Sequence, residues 1–136
     1  MDFDGLVKEL VNRTGCEAEK TGDEQNQEYT LQYGLDEGRK QEVIIFPFEE
    51  DGQELVRLVS FIGKRQDFSN ARLISFLELN MSLRFGAFAI YQGQVALVST
   101  VAYESILDAD DVVDHISYIT KMADNFERTL VGLDRK

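Results

Sequence analysis

Apolar residues recur at Phe3, Leu6, Val7, Leu10 and Val11 in "FDGLVKELVNRTG". This is the three-and-four spacing of one helix face, with Asp2 or Asp4 placed to cap it and Gly15 to stop it. "CEAEKTGDEQNQ" is polar and reads mostly as loop, with room for a short strand. Tyr29, Leu31, Tyr33 and Leu35 then alternate with polar residues, the pattern of a half-buried strand. "DEGR" turns the chain into a second strand, "QEVIIFPFEED", where Pro47 cannot donate a ladder bond and so belongs at an edge or a bulge. After a turn at "DGQ", "ELVRLVSFIGK" is a third strand, and the three form an antiparallel meander. In the third strand Leu58, Ser60 and Ile62 compete with Val59 and Phe61 for the core side.

A second helix is expected from about Asn70 to Leu83, capped by Asp67 or Ser69. Strands follow at Phe85–Tyr91 and Gln94–Tyr103, and Gln92-Gly93 between them is a hairpin signal, because Gly takes positive φ at little cost. The last helix opens at Asp108, with Asp111 three residues on, and closes near Gly132. Val112, Ile116, Ile119, Ala123, Phe126 and Leu130 form its single apolar stripe. The order α-β-β-β-α-β-β-α describes one α+β domain over residues 1–136, built on an antiparallel sheet.

The second helix departs from the usual surface pattern. At about 100° per residue its apolar positions, Leu73, Ile74, Phe76, Leu77, Leu79, Met81 and Leu83, cover an arc of roughly 220°, about twice an ordinary stripe. Such a helix needs cover on two sides. One cover is the sheet of its own domain; the other is a terminal helix or a second subunit. The terminal helices carry single-sided stripes suited to the sheet, which favours a subunit, with Leu73, Leu77, Asn80 and Met81 as the expected dimer interface. Asn80 falls inside the apolar arc, where an unpaired amide would cost about 1–3 kcal/mol. Two partners suit it: a polar contact fixing the register of a helix pair, as buried asparagines do in coiled coils, or the adjoining chain just beyond the helix. The second is favoured.

At 136 residues with 43% apolar content, nine Phe and five Tyr, the chain can bury a core without staples. One cysteine, Cys16, rules out an internal disulfide and fits a reducing compartment. The start "MDFD" shows neither the basic nor the apolar part of a secretory signal, and no apolar run approaches the roughly 20 residues of a membrane span. A cytoplasmic protein without membrane contact is expected. The net charge of −11 repels nucleic-acid phosphate, so no nucleic-acid partner is expected; it favours solubility and would attract a basic partner segment.

No catalytic constellation is visible. His115 is the single histidine and lies one turn after Asp111, which suits a surface i,i+4 pair better than a general base. Cys16 follows a helix end, whereas a reactive thiolate wants a helix start. "DADDVVD" lacks the alternation, the central Gly and the twelfth-position Glu of a calcium loop, and its acids suit the helix dipole. Neither metal nor cofactor is expected, and an enzyme is not.

With these residues in view, the element order of this small acidic chain resembles the type III secretion chaperone fold. The run "LELNMSLRFGAFAIYQGQVALVSTV" is more closely similar to YbjN-like bacterial proteins sharing that fold. There a helix ending in a Leu-Asn pair, here Leu79-Asn80, leads into a "hydrophobic–Arg/Lys–Phe-Gly" strand, here Leu83-Arg84-Phe85-Gly86. The resemblance implies a non-catalytic, dimeric, bacterial module that binds protein segments through apolar patches on its sheet face. Tyr29, Leu31 and Tyr33, on one face of the meander, are the expected partner-binding residues; the other expectation is that they are core. An alternative function is a small-molecule-binding sensor, which would need convergent polar groups inside an apolar cavity.

Overall fold

The computed structural model describes residues 2–104 and 108–131, the side chains of 130 and 131 excepted. Helix α1 spans Phe3–Thr14; the Asp2 carboxylate accepts the Gly5 amide at 2.7 Å, and Gly15, at φ 71°, closes the helix by donating to the Val11 carbonyl at 2.8 Å. Six strands follow the expected path with one addition: β1 (Glu17–Lys20), β2 (Tyr29–Gly34), β3 (Lys40–Glu50), β4 (Gln53–Lys64), β5 (Ala87–Tyr91) and β6 (Gln94–Ala102). All neighbours are antiparallel, in the order β1-β2-β3-β4-β6-β5. Strand β1 is a short edge with all four side chains exposed, so no apolar alternation marks it in the sequence.

Pro47 lies where its chemistry permits. Strand β2 ends at Tyr29 opposite Ile45, while β3 continues to Glu50, so Pro47 pairs only with Val56 of β4. The β5–β6 hairpin turns through Gln92 and Gly93, at φ 51° and 74°, the left-handed pair that a two-residue loop requires.

Helix α2 runs Asn70–Leu79, shorter than expected, with Ser69 as its cap: the hydroxyl accepts the Arg72 amide at 3.1 Å. A 3-10 turn over Asn80–Ser82 ends it, because Asn80 is turned toward β5. Helix α3 covers Asp108–Phe126 and continues in a wider turn over Glu127–Val131; the side chain of Leu130 and the stop at Gly132 lie outside the described residues.

The helices share one face of the sheet. Leu31, Val43, Ile45, Val56, Leu58, Ile62, Leu97 and Val101 form a continuous core with Phe3, Leu6 and Leu10 of α1 and Val112, Ile116 and Ile119 of α3. Thus Leu58, Ser60 and Ile62 take the helix side. Val59 and Ala96 are fully buried as well, yet stand outside that core, on the opposite face. Four phenylalanines anchor α2: Phe76 stacks on Phe88 at 4.7 Å between ring centres and meets Phe68 and Phe126 edge-on at 5.4 and 6.0 Å. Burying Phe76 alone is worth about 2–3 kcal/mol, and each ring pair about 1 kcal/mol more.

Candidate functional site

The wide apolar arc of α2 is divided by the fold. Phe76 is buried, and Leu73 and Leu83 pack against the core. Leu77 is 64% exposed, Ile74 57% and Met81 92%. Leu79 is 38% exposed, and Ile90 of β5, 54% exposed, adds a fifth large apolar side chain. Between α2 and β5 lies a groove of about 210 Å³, walled by Leu73, Phe76, Leu77, Phe88, Ile90 and Val95. Among its described lining residues none has a polar side chain, so these supply none of the convergent groups that a specific small-molecule site would need.

Strand β5 closes the sheet beside this patch, and its register fixes what its free edge offers. Tyr91 and Gln94 flank the two-residue turn, so Tyr91, Ala89 and Ala87 exchange hydrogen bonds with β6. The amides and carbonyls of Phe88 and Ile90 then point to the outside. Asn80 Oδ1 accepts the Phe88 amide at 2.6 Å. The local partner favoured by the sequence is therefore the one found. Of the four expected interface residues, Leu77 and Met81 stand open, Leu73 lines the groove, and Asn80 is engaged within its own domain.

Tyr29, Leu31 and Tyr33 require a correction as partner-binding residues. Leu31 is fully buried among core side chains. The Tyr29 hydroxyl donates to Asp4 at 2.9 Å and its ring lies 5.7 Å from Phe3, while Tyr33 packs against the same core. That bond, with burial and the nearby carboxylate, raises the Tyr29 pKa. This alternating face is the one that α1 and α3 cover.

The opposite face carries Val59 and Phe61, the other set in the competition along the third strand, together with apolar residues of neighbouring strands. Phe46, Phe61 and Tyr91 form a near-parallel stack, Tyr91 lying 6.3 Å from Phe46 and 6.2 Å from Phe61. Pairing register places Ile44, Val59, Val98 and Ala87 in one row across four strands of this side. The signal was present: "VIIFPF" is a nearly unbroken apolar run, as expected of a strand with apolar groups on both faces. At the end of this face, a cavity of about 620 Å³ opens where β2 stops and β3 continues.

His115 also needs correcting. It is not a surface partner of Asp111: its ring stacks on Phe85 at 4.0 Å, and its Nδ1 hydrogen-bonds the Ser99 hydroxyl. Burial lowers its pKa below 6.5, opposed by the carboxylates of Asp111 and Asp114. Cys16 is buried. Among the described residues no three His, Cys, Asp or Glu side chains converge as metal ligands, and no helix is long and apolar enough to cross a membrane.

No protein-family profile matches the sequence, and no curated protein matches it. Among solved structures, one similar chain belongs to the HopA1–SchA chaperone–effector complex: the TM-score is 0.60, with 93% of this chain and 94% of that one covered, at 8% identity. At that identity the likeness is one of architecture, and it shows that this chain has a secretion-chaperone-like α+β fold.

Proposed function

We propose that this chain is a non-catalytic, chaperone-like protein-binding module that works as a homodimer and holds an extended segment of a partner protein. One observation carries the reading: Leu77, Met81, Ile74 and Ile90 form an apolar patch that its own domain leaves open. Patches of this kind mark interaction sites on soluble proteins. The dimer interface is assigned to Leu73, Leu77 and Met81, joined by Ile74 and Ile90, with Asn80 at its margin. Self-association through α2 leaves the helix-free sheet face for the partner. The fold likeness to a chain of a chaperone–effector complex supports this reading, as does the YbjN-like run around Leu79-Asn80. The proposed setting is the bacterial cytoplasm.

Light scattering on the purified chain tests the dimer: twice the chain mass is expected, and a monomer at micromolar concentration overturns it. Purification from the native cell tests the ligand class. A stoichiometric protein supports the reading, whereas a bound metabolite favours the sensor.

A further inference from the structure

The cavity where β2 stops presents acceptors. Glu24 and Glu28 border it from the loop before β2, with Glu49 and Glu54 across from them. No Lys or Arg side chain is among its described lining residues. Its floor is aromatic, with Phe46, Phe48 and Tyr91. The exposed edge of β3 adds to this character. Pro47 stands opposite Val56 within an unbroken ladder, so its nitrogen faces away from β4, toward the side that β2 has left. There the residue contributes a carbonyl and no N–H. Beside the cavity, the Arg57 guanidinium already lies 4.4 Å from the centre of the Phe48 ring. The Phe48 ring thus attracts a planar cation, as electron-rich ring faces do, and the chain's own Arg57 occupies that place. Buried Tyr103, also in the lining, has its pKa raised by burial and then by Glu54 and Asp2, a second sign of negative potential here.

We infer that this notch receives an arginine- or lysine-bearing extended segment of a partner protein that runs along the free edge of β3, its cations meeting the bordering carboxylates and its apolar side chains the aromatic residues. The inference rests on the protein-binding reading and adds the partner's chemistry. Carboxylates around an aromatic floor select cationic ligands by complementarity and penalise acidic ones.

The test uses the 136-residue chain and three short synthetic peptides that alternate leucine with arginine, glutamine or glutamate, followed by fluorescence anisotropy. The arginine peptide is expected to bind about tenfold more tightly than the glutamine peptide, with the advantage shrinking as salt rises. Combined Glu28→Gln, Glu49→Gln and Glu54→Gln changes should remove that advantage. Changing Glu19, Glu78 and Asp114 to the corresponding amides should preserve it. Equal losses in both variants would mean that net charge, rather than the notch, attracts the peptide, and would overturn the inference. Equal binding of all three peptides overturns it too, while leaving a protein-binding module standing. Binding of none counts against both. Dissociation of the dimer by the notch variant would make this surface a self-contact and overturn the inference as well.

Discussion

The side-chain oxygen of Asn80 and the backbone amide of Phe88 meet at 2.6 Å across the turn that joins α2 to β5. One side chain thereby ends the helix and covers an outward-facing donor on an edge strand. Asn80→Ala should cost about 1–2 kcal/mol, because the amide loses its partner in a half-buried place. Asn80→Asp keeps an acceptor and should cost less. Urea unfolding of both variants checks this; equal losses would show that the bond is not what stabilises the turn.

Leu77→Asp should leave the chain folded. The side chain is 64% exposed, so the new carboxylate stays hydrated within a monomer. In a twofold dimer the change occurs twice and buries charge against an apolar surface, so dissociation is the easier response. Circular dichroism should be retained while the scattering mass halves. A variant that stays dimeric removes Leu77 from the interface, and an unfolded one contradicts its placement.

Phe76→Ala, one residue earlier on the same helix, should behave in the opposite way. Phe76 is 2% exposed and touches three other rings. Its truncation should cost about 3–5 kcal/mol. A loss below about 1 kcal/mol in chemical denaturation would refute the aromatic anchor.

Gly86→Ala and Gly93→Ala separate backbone strain from collision. Both glycines have positive φ, 73° and 74°. A Cβ on Gly86 would come within 2.6 Å of the Val98 carbonyl oxygen, whereas one on Gly93 meets nothing within 4 Å. Gly93→Ala should cost about 1 kcal/mol and Gly86→Ala clearly more. Matching melting temperatures would rule out the collision.

The pH dependence associated with His115 follows from its lowered pKa. The folded state holds the ring neutral more strongly than the unfolded state does. Its contribution is full above the unfolded value of about 6.5 and is lost as pH falls below it, until the folded ring is protonated as well. Because the chain has one histidine, its ring resonances give that titration directly. A midpoint above 6.5 would contradict the burial of the ring, and His115→Gln should flatten the fall in stability that sets in below about pH 6.5.

Periodicity revealed most of the fold because each strand and helix carries its own apolar rhythm. Strand β1 was legible only as room for a short strand, because an edge strand with every side chain in water has no such rhythm. The arc on α2 was legible as two-sided, and the structure shows which side the domain uses: Phe76 faces in and Leu77 out. Of the expected partner-binding residues, Leu31 is enclosed in the core, and Tyr29 and Tyr33 pack against it. Alternation at Tyr29, Leu31 and Tyr33 shows that one face is apolar, but not whether helices cover it. The open face lay instead in "VIIFPF", where a lack of alternation was the signal. His115 could not be placed from its own helix, since Phe85 and Ser99 reach it from distant parts of the chain.

The sheet has a seam. Helix α1 and strands β1–β4 are all made before Arg65; α2, β5, β6 and α3 all come after it, and the two halves join where β4 pairs with β6, as far as Leu55 opposite Ala102. During synthesis the first half emerges with β4 complete and its pairing edge bare, and it must wait for roughly forty more residues at about 5–20 per second before β6 can cover it. For those seconds Val56, Leu58 and Ile62 lack the strand and helix that later enclose them. A chain proposed to hold the unfinished segments of others thus passes through a stage in which its own central strand is the segment needing protection.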